Sequence, residues 1–517
     1  MIEKIGVVNL IDGYKADHRP QYPVGTERVY SNMTPRKSRV EGVNAVLSVG
    51  MNIFIKEYLI DRWNNTFFSQ PKDVILRNYK RRMDNYLGKD AISVEHIGEL
   101  HDLGYLPIEI KSMDEGTLVP IGVPIFTIEN TKKEFFWLTN YMETLVSNIM
   151  WKPITSATTA YQYRKRFNEY ADITGYDKSF IQWQGHDFSF RGMSGTEDAL
   201  LSASAHLMVF TGTDTIPAID LLEMFYHANS DLELVGGSVP ATEHSVMCMG
   251  DKESEINTFR RLINVLYPKG IVSIVSDTWD FWKVITEYLP ELKQDIMTRG
   301  GEAFSRLVIR PDSGDPVKII TGWTNEEIAF ASKTFENNAC GRAERLGAFE
   351  SLWNTFGGII NAKGYKELNS KIGLIYGDAI SLEKQLLILS RLEAKGFSAN
   401  NLVLGLGSYT YEYVTRDTYG FAMKATWGMV NGVAKEIFKD PKTDRGFKKS
   451  AKGLLMVYRD ENGDLKLKDQ CTREEEQRSL LTTTFKDGVL YKDPTLSEIR
   501  GRIDALFVKQ EDIAEVA

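Results

Sequence analysis

The sequence predicts an α/β fold in which the middle of the chain forms a parallel sheet or barrel. Between about residues 185 and 410, short apolar runs each stop at a small or acidic residue, and helical stretches separate them. A repeated order of strand, polar tip and helix is typical of parallel α/β proteins. The 517 residues also exceed the ~250 to 300 that one hydrophobic core serves, so we expect at least two packed units.

The part of the chain that precedes this region is predicted to be mostly helical. Apolar residues recur at helical spacing in residues 45–61, 71–87, 134–150 and 156–170. Residues 106–130 differ, because apolar and polar positions alternate there and glycines and prolines punctuate the pattern. This alternation predicts short strands joined by turns.

Polar or small residues follow the five predicted strands of the middle region. These strands are residues 207–210, 271–275, 307–309, 372–376 and 402–404, and helices are predicted at 256–266, 278–289 and 382–395. The residues that follow the strands are Thr213 and Asp214, Ser276 and Asp277, Arg310 and Asp312, Gly377 and Asp378, and Gly405 and Gly407. Because the carboxyl ends of parallel strands share one edge, we expect these polar tips to share one mouth.

The chain becomes basic and polar after residue 420. Strands are predicted at 454–458 and 488–491, and the basic residues before them are Lys435, Lys439, Lys442, Arg445, Lys448, Lys449 and Lys452. A lysine run is ordinarily a solvated surface. Beside a phosphate-binding mouth, the same run would act as a phosphate clamp.

Charge, cysteine content and hydropathy exclude several classes of protein. The net charge is -8, with 62 basic and 70 acidic residues, so no global positive field would attract nucleic acid. The three cysteines are too few and too scattered for a disulfide framework or a four-ligand zinc site, which fits a reducing cytoplasm. We find neither a signal-peptide core nor a window of ~18 uncharged apolar residues, so we expect no secretion by that route and no membrane span.

The strand tips carry groups suited to a metal ion and to phosphate. Asp277, Asp312 and Asp378 could hold Mg²⁺ through a few oxygens, while water and substrate phosphates supply its other ligands. Gly407 and Ser408 follow a strand and would let a phosphate approach the backbone, although a third glycine for a dinucleotide motif is lacking. The sequence has no Walker loop, so any ATP binds without one.

Two further segments are candidates for substrate binding and chemistry. Phe188 could stack on a flat heteroaromatic ring while Arg191 pairs with a carbonyl or a phosphate, and the alternative is a buried phenylalanine beside a surface arginine. His244 stands between Glu243 and Ser245. A glutamate held against one ring nitrogen would make the other more basic, as a nucleophile or general base requires, whereas most lone histidines are structural.

Short strings that occur in order along nearly the whole chain carry a resemblance to a known family. The strings are residues 12–15 with His18, 21–23, 186–192, 212–215, 238–245, 275–277, 309–314, 377–378, 415–417 and 438–441. Together they resemble the nicotinamide phosphoribosyltransferases, which are type II phosphoribosyltransferases. One string alone would not identify the family, but the ordered set does.

The resemblance implies a type II phosphoribosyltransferase fold, with an irregular parallel α/β barrel in residues 181–410 and a second α+β domain built from residues 1–180 and 411–517. It implies a homodimer whose active sites are shared between subunits. The implied reaction transfers a phosphoribosyl group from phosphoribosyl pyrophosphate to nicotinamide, giving nicotinamide mononucleotide and pyrophosphate in NAD salvage. Mg²⁺ would be the cofactor, and ATP would be a coupling substrate that phosphorylates His244.

The resemblance also implies roles for individual residues. The nicotinamide ring would lie between Phe188 and Tyr14 of the partner subunit, near Asp12 and Ser273, with Arg310 at the carboxamide oxygen. Asp277 and Asp312 would serve Mg²⁺ and pyrophosphate. Phosphate and ribose would be bound by Arg36, Arg191, His244, Arg310, Asp312, Gly377, Asp378, Gly407, Ser408, Arg416, Lys424, Lys439 and Lys448.

Asp214 distinguishes between the two most similar candidate substrates, nicotinamide and nicotinate. Its carboxylate can accept a hydrogen bond from the amide of nicotinamide but would repel the carboxylate of nicotinate. The alternatives are a nicotinate phosphoribosyltransferase, a Mg²⁺-dependent barrel lyase or hydrolase, and a non-catalytic dimeric binding protein of the same fold. Gly373, Ser408 and Ala422 depart from the family's pattern, which leaves the affinities for phosphoribosyl pyrophosphate and ATP open.

Overall fold

The computed structural model describes residues 5–334, 341–377, 379–438 and 451–508. These residues form two compact units, each made from separate stretches of the chain. The first unit contains residues 5–158, Leu221–Ala228 and Val414–Val508, and the second contains Thr159–Asp220 and Asn229–Tyr413. The domain boundaries placed after residues 180 and 410 stay predictions.

The described residues form nineteen strands. In chain order they are β1 Thr26–Pro35, β2 Ala45–Leu47, β3 Ile108–Ser112, β4 Leu118–Pro120, β5 Phe126–Asn130, β6 Gly185–Asp187, β7 Gly212–Thr213, β8 Gly270–Val275, β9 Ser305–Arg310, β10 Gly358–Ile360, β11 Lys366–Leu368, β12 Ile372–Tyr376, β13 Leu402–Leu406, β14 Phe421–Val430, β15 Val433–Glu436, β16 Leu454–Arg459, β17 Leu465–Cys471, β18 Thr482–Lys486 and β19 Val489–Leu490.

The α-helices within the described ranges are α1 His18–Gln21, α2 Met51–Ile53, α3 Lys72–Leu87, α4 Glu95–Leu103, α5 Leu138–Tyr141, α6 Glu143–Thr174, α7 Ile181–Gln184, α8 Thr196–Leu207, α9 Pro217–Tyr226, α10 His244–Cys248, α11 Glu255–Arg261, α12 Phe281–Lys283, α13 Leu289–Glu291, α14 Lys293–Thr298, α15 Pro316–Thr321, α16 Asn325–Thr334, α17 Arg342–Leu346, α18 Ala348–Phe356, α19 Leu382–Ala394, α20 Ser408–Tyr411, α21 Arg473–Glu476 and α22 Leu496–Ala505.

Shorter helical segments complete the described secondary structure. π-Helical segments are Phe54–Asp61, Asn64–Phe68, Leu262–Leu266 and Val284–Tyr288, and 3₁₀ turns are Val7–Asn9, Gly13–Asp17, Lys133–Phe135, Lys178–Phe180, Phe190–Gly192 and Arg416–Thr418. Across these described parts of the chain, every helix is too short or too polar to cross a membrane.

The first unit is built on a seven-stranded sheet that joins both ends of the chain. Its strand order is β15-β14-β1-β5-β3-β18-β19. The central pair, β1 and β14, is antiparallel and runs from the Thr26 and Val430 pair to the Pro35 and Phe421 pair. The strands predicted within 106–130 and near 454–458 and 488–491 are confirmed.

Three helix predictions in the first third of the chain need correction. The helix predicted from residue 45 is wrong over its first six residues, because β2 pairs with β4 and the helix begins only at Met51. Gly50 lies in the turn between β2 and α2, and its φ of 89° is a left-handed conformation that favours glycine. The helices predicted at 134–150 and 156–170 overlap a single helix, α6, which continues through Pro153.

The second unit is built on six parallel strands in the order β7-β6-β13-β12-β9-β8. The segment 237–241 forms a parallel bridge to each edge of this sheet, pairing Gly237 with Gly212 of β7 and Ala241 with Ser273 of β8. Hydrogen bonds from Thr213 N to Gly237 O and from Ser273 N to Pro240 O support both bridges. The sheet therefore closes into an irregular barrel, which confirms the predicted fold class.

Four of the five predicted strands of the middle region are confirmed, and one is wrong. β8, β9, β12 and β13 cover the runs at 271–275, 307–309, 372–376 and 402–404. The run at 207–210 is not a strand, since α8 continues to Leu207 and β7 starts only at Gly212. Residues 207–210 are all buried where α8 ends and the chain turns, and periodicity alone does not distinguish such a short buried apolar run from a strand.

Candidate active site

The carboxyl ends of the parallel strands surround a cavity of about 300 Å³. Phe188 follows β6, Asp214 follows β7, Asp312 follows β9 and Gly407 follows β13. The residues that line the cavity are Phe188, Arg191, Asp214, Arg310, Asp312, Gly377, Ala379, Gly407, Ser408 and Tyr409. Eight of these ten lining residues were singled out from the sequence, and the other two are Ala379 and Tyr409.

A second cavity, of about 290 Å³, lies inside the barrel and shares Phe188, Asp214 and Arg310 with the first. Along β9, Val308 and Arg310 line this interior cavity, whereas Leu307 and Ile309 are fully buried on the other face of the strand. Ser273 of β8 also lines it. The mouth of the barrel therefore opens onto internal space rather than onto a filled core.

Phe188 presents its ring to the cavity because two glycines leave room beside it. A Cβ on Gly405 would lie 2.4 Å from a ring carbon of Phe188, and one on Gly377 would lie 3.1 Å away. The backbone N of Phe188 donates to Leu406 O at 3.1 Å, which ties the residue to β13. The half-buried ring is available to stack on a flat heteroaromatic ligand.

Asp214 is held through one of its two carboxylate oxygens. Its Oδ1 accepts hydrogen bonds from His186 Nε2 at 2.9 Å and from Ser238 Oγ at 3.0 Å, and 48% of the side chain is exposed. Burial by itself would raise the pKa of Asp214, but the hydrogen bonds from His186 and Ser238 and the charge of Arg310 outweigh it, so the pKa lies below its ordinary value. Asp214 is therefore an ionised hydrogen-bond acceptor at neutral pH.

Arg310 and Ser273 carry buried polar atoms that lack partners among the described residues. Arg310 donates from Nη2 to Thr242 O at 2.6 Å, but its Nε has no hydrogen bond. The Ser273 Oγ is buried and unpartnered as well. Buried polar atoms nearly always have a partner, so these two point to atoms that a ligand supplies.

Asp277 is almost fully buried, with 5% of its side chain exposed. Its Oδ2 accepts hydrogen bonds from Asp312 N at 2.9 Å and from Ser313 Oγ at 2.6 Å. Its Oδ1 is buried and has no hydrogen bond within the described residues. One oxygen of this carboxylate is thus anchored and the other remains available for a cation.

His244 begins α10 and is half exposed. Its Nδ1 lies 3.1 Å from Thr278 Oγ1, and its Nε2 lies 3.9 Å from Asp277 Oδ1. The neighbouring Glu243 is hydrogen-bonded to Ser245 Oγ instead. The acidic group that approaches the imidazole is therefore Asp277, from a strand end 33 residues along the chain, and not the glutamate next to it in sequence.

Asp277 and Asp312 fit a Mg²⁺ ion that is shared with a ligand. Among the residues that the structure describes, no group of three or more histidines, cysteines or acids is arranged to hold a metal by itself. Mg²⁺ is usually bound by one or two carboxylates together with substrate phosphates, which matches this pair and the Asp277 Oδ1 that accepts no hydrogen bond. Asp378 lies outside the described residues.

The remaining site residues that the sequence singled out lie in the first unit or outside the described residues. Tyr14 is 58% exposed, and the Oδ2 of Asp12 accepts a hydrogen bond from Thr144 Oγ1 at 2.8 Å. Three exposed cations lie at or on the β1 and β14 pair: Arg36 follows β1, Arg416 is in the turn before β14, and Lys424 is within β14. Lys439 and Lys448 fall outside the described residues.

Sequence reasoning missed the groups that orient the site, namely His186, Ser238, Thr242, Thr278 and Ser313. His186 and Ser238 stand inside strings that carried the family resemblance, so a signal was present. Nothing in the local pattern indicated that both donate to Asp214, since the three residues meet only when the barrel closes.

Comparisons with known proteins bear on the identity of this site. A sequence profile described as the nicotinate phosphoribosyltransferase (NAPRTase) family matches residues 183–489, and one described as the nicotinamide phosphoribosyltransferase N-terminal domain matches residues 6–110. The chain is 52% identical to a nicotinamide phosphoribosyltransferase of Acinetobacter baylyi over 507 residues, which cover 97% of each chain. It is 31% identical over 501 residues to one of Xanthomonas campestris, covering 96% of this chain and 97% of that protein.

The fold is also similar to that of a solved structure. A crystal structure of nicotinate-nucleotide pyrophosphorylase from Pyrococcus furiosus aligns with a TM-score of 0.54 and 14% sequence identity, covering 97% of this chain and 95% of that one. At this identity the likeness concerns the fold alone.

Proposed function

Because the chain belongs to the nicotinate phosphoribosyltransferase family and, within it, to the nicotinamide phosphoribosyltransferases, we propose that the cavity at its strand ends is where nicotinamide is joined to phosphoribosyl pyrophosphate. The enzyme is a pentosyltransferase that makes nicotinamide mononucleotide and pyrophosphate in NAD salvage. The observation that carries the assignment of the site is the meeting of Phe188, Asp214 and Arg310 at one cavity.

The reaction needs orientation and charge neutralisation rather than a protein nucleophile. The pyridine nitrogen of nicotinamide attacks C1 of the ribose as the bond from C1 to the pyrophosphate oxygen breaks, and that oxygen keeps the bonding electrons. The product carries the positive charge on its pyridinium ring. Holding the ring nitrogen against C1 and stabilising the leaving pyrophosphate are the tasks left to the site.

Asp214, Arg310 and Phe188 would recognise nicotinamide by complementary chemistry. The ring stacks on Phe188, the amide nitrogen donates to the Asp214 carboxylate, and the carboxamide oxygen accepts from Arg310, with Ser273 Oγ close to the same cavity. The acid nicotinate would place a second negative charge beside Asp214 in a partly desolvated pocket. Nicotinamide is therefore the preferred base.

Asp277 and Asp312 would hold Mg²⁺ together with the pyrophosphate. When bound, Mg²⁺ would neutralise charge on the departing pyrophosphate. Gly407 and Ser408 would meet the 5′-phosphate, and Gly377 the ribose hydroxyls together with Asp378. The remaining cations of the proposed phosphate site are Arg36, Arg191, Arg416, Lys424, Lys439 and Lys448.

His244 would couple ATP to the transfer. The unprotonated ring nitrogen of His244 attacks the γ-phosphorus of ATP. The bond from that phosphorus to the β,γ-bridging oxygen breaks, and ADP leaves with the two electrons of that bond. Water then cleaves the nitrogen–phosphorus bond and releases phosphate, so that ATP hydrolysis drives product formation. A half-exposed imidazole anchored at Nδ1 by Thr278 and near the Asp277 carboxylate at Nε2 suits this role.

The active enzyme would be a homodimer in which Tyr14 of the partner subunit covers the nicotinamide ring. Exposed apolar side chains support a partner surface on each unit. Tyr14 is 58% exposed in the first unit, and Ile216, Leu232 and Tyr413 are 71%, 84% and 80% exposed in the second. Tyrosine is enriched at interfaces because its ring is apolar and its hydroxyl is polar, which fits an exposed Tyr14 that a partner would cover.

A single assay tests this proposal. The protein is incubated with phosphoribosyl pyrophosphate, Mg²⁺ and either nicotinamide or nicotinate, with and without ATP, and the mononucleotide formed is measured. We expect nicotinamide mononucleotide to form and ATP to raise its yield. Preference for nicotinate would contradict the role of Asp214, and binding without product would favour a non-catalytic binding protein.

His244→Ala tests the coupling step in the same assay. We expect this variant to keep some basal transfer and to lose the stimulation by ATP, because transfer itself needs no phosphohistidine. His101→Ala, which removes a histidine from α4 in the first unit, is the control and should keep the stimulation. Unchanged ATP stimulation in His244→Ala would refute the coupling role.

A further inference from the structure

Asp214 needs other residues to fix its orientation, because it follows a strand of only two residues and is half exposed. The described residues give it two side-chain hydrogen bonds, and both reach the same oxygen, Oδ1. Its Oδ2 accepts no hydrogen bond from the described part of the chain. One oxygen is thus fully occupied, and the other is left to a substrate.

The two donors come from the two neighbours of β7 in the barrel. His186 lies on β6, where it pairs with Gly212 of β7. Ser238 lies on the segment 237–241, which bridges β7 on its other side through Gly237. The Asp214 carboxylate is therefore clamped from both sides by elements that the barrel brings together.

We propose that His186 and Ser238 are positioning residues that set the base specificity, because by occupying Oδ1 of Asp214 they leave Oδ2 as the acceptor for the amide of nicotinamide. This inference rests on the proposed role of Asp214 in nicotinamide binding. It adds that the preference for the amide over the acid belongs to a group of three residues and not to the aspartate alone.

Loss of the clamp has a definite chemical consequence. Asp214 would be free to turn, and its pKa would rise, because burial would then be opposed only by Arg310 and by whichever donor remained. A carboxylate that turns freely no longer holds Oδ2 against the amide of nicotinamide, and it can turn its charge away from the carboxylate of nicotinate. Discrimination between the two bases should therefore fall together with the affinity for nicotinamide.

The competing explanation is that His186 affects substrate binding only by packing against the ring of Phe188, on which nicotinamide would stack. Its side chain is 10% exposed, and its ring centroid lies 4.6 Å from that of Phe188. His186→Phe keeps an aromatic ring at this position and removes the donor. His186→Gln returns an N–H donor without the ring, so the two variants separate hydrogen bonding from packing.

The experiment measures kcat and KM for nicotinamide and for nicotinate in these variants and in Ser238→Ala. We expect His186→Phe to raise the KM for nicotinamide about tenfold and to lower the nicotinamide-to-nicotinate ratio of kcat/KM about tenfold. His186→Gln should return the KM for nicotinamide and the nicotinamide-to-nicotinate ratio most of the way to their wild-type values. Ser238→Ala should change the same two quantities in the direction seen for His186→Phe, but by less. The KM for phosphoribosyl pyrophosphate should not move, and thermal unfolding checks that each variant is folded.

A double-variant cycle then tests whether His186 acts through Asp214. In an Asp214→Ala background, which removes the carboxylate that His186 bonds, His186→Phe should have no further effect on the ratio. Additive effects, or equal loss of both bases in His186→Phe and His186→Gln, would overturn the inference while leaving the proposed function intact. A wild-type enzyme that used both bases equally would instead overturn the proposed function at the first step.

Discussion

At the scale of single residues, the site is defined by polar atoms whose hydrogen bonds are incomplete. Ser273 Oγ, Arg310 Nε and Asp277 Oδ1 are all buried, and none makes a hydrogen bond within the described residues. Ser273 and Arg310 lie on barrel strands, and Asp277 follows one. Buried polar atoms are costly to leave unpaired, so these three are the atoms that a bound ligand would be expected to contact.

Asp277→Asn should separate the catalytic from the structural role of this carboxylate. The amide can still accept from Asp312 N and Ser313 Oγ, but it loses the charge at the unpartnered oxygen. We expect the transfer rate to fall on the order of 100-fold and the Mg²⁺ needed for half-maximal rate to rise, with little change in thermal unfolding. A Mg²⁺ titration of nicotinamide mononucleotide formation measures this.

Asp280→Asn is the matched control for that titration. Asp280 lies three residues further along and caps α12 by accepting from Lys283 N, a role that asparagine fills about as well, so this substitution removes a nearby charge and should leave both stability and Mg²⁺ dependence nearly unchanged. Equal effects of the two substitutions would argue against a metal role for Asp277.

At the scale of elements, buried hydrogen bonds hold the strand ends that carry the substrate-facing residues. Asp187, at the end of β6, is fully buried and accepts from Ser189 N and Oγ through one oxygen and from the hydroxyls of Thr213 and Thr215 through the other. These bonds join the ends of β6 and β7, which lead to Phe188 and to Asp214. The two residues that would face the nicotinamide ring therefore share one rigid support.

A salt bridge on the outer helices of the second unit gives a prediction about pH. Arg391 of α19 donates to both carboxylate oxygens of Glu327 on α16, at 2.8 and 3.0 Å. The hydrogen bonds from Arg391 lower the pKa of Glu327 to about 2. Since the folded pKa is depressed, this bridge stabilises the fold above the ordinary pKa of about 4.5, and the benefit is lost as pH falls towards 2.

Glu327→Gln should therefore lower the free energy of unfolding at pH 7 by on the order of 1 kcal/mol, because the bridge is partly exposed to solvent. The difference from the wild type should shrink between pH 5 and pH 3, as measured by urea unfolding. Glu326→Gln, the neighbouring position on α16, is the control and should show a much smaller difference. If the difference in unfolding free energy between Glu327→Gln and the wild type stayed constant with pH, the salt bridge would be excluded as the cause of that difference.

At the scale of the whole molecule, each compact unit is assembled from distant parts of the chain. In the first unit, β1, β3 and β5 pair with β14 and β18, so residues near 30, 110 and 128 share a sheet with residues near 425 and 484. The second unit is closed by the segment 237–241, which bridges both edges of its sheet. The site residues at the strand ends thus depend on contacts between segments far apart in sequence.

Mixing two inactive variants tests the proposed sharing of sites between subunits. Tyr14→Ala and Phe188→Ala should each be strongly impaired as pure dimers. After refolding together, hybrid dimers would contain one site with both aromatic residues intact, and we expect about a quarter of wild-type activity if subunits pair at random. The assay is nicotinamide mononucleotide formation, with dimer formation checked by size.

The control for this experiment pairs Phe188→Ala with Arg310→Ala. Both residues line the same cavity of the second unit, so a hybrid of these variants has no intact site and should stay inactive. Recovery in the control, or none in the Tyr14 and Phe188 mixture despite hybrid formation, would contradict a site shared through Tyr14.

The sequence by itself determined the fold class and the identity of most groups at the candidate site. Runs that end at Asp277, Asp312 and Gly377 predict strand ends, because apolar burial and polar tips are local properties of a parallel α/β unit. The same reasoning failed at 207–210, where a buried apolar turn at the end of α8 has the pattern of a short strand, and at 45–50, where pairing of β2 with β4 overrides helical spacing.

Only the tertiary structure decided which groups contact each other. His244 faces Asp277 rather than its neighbour Glu243, and Asp214 is clamped by His186 and Ser238. The physical reason is that hydrogen bonds and ion pairs form between atoms a few ångströms apart. Distances between residues far apart in the chain are fixed by closure of the barrel and not by local sequence pattern.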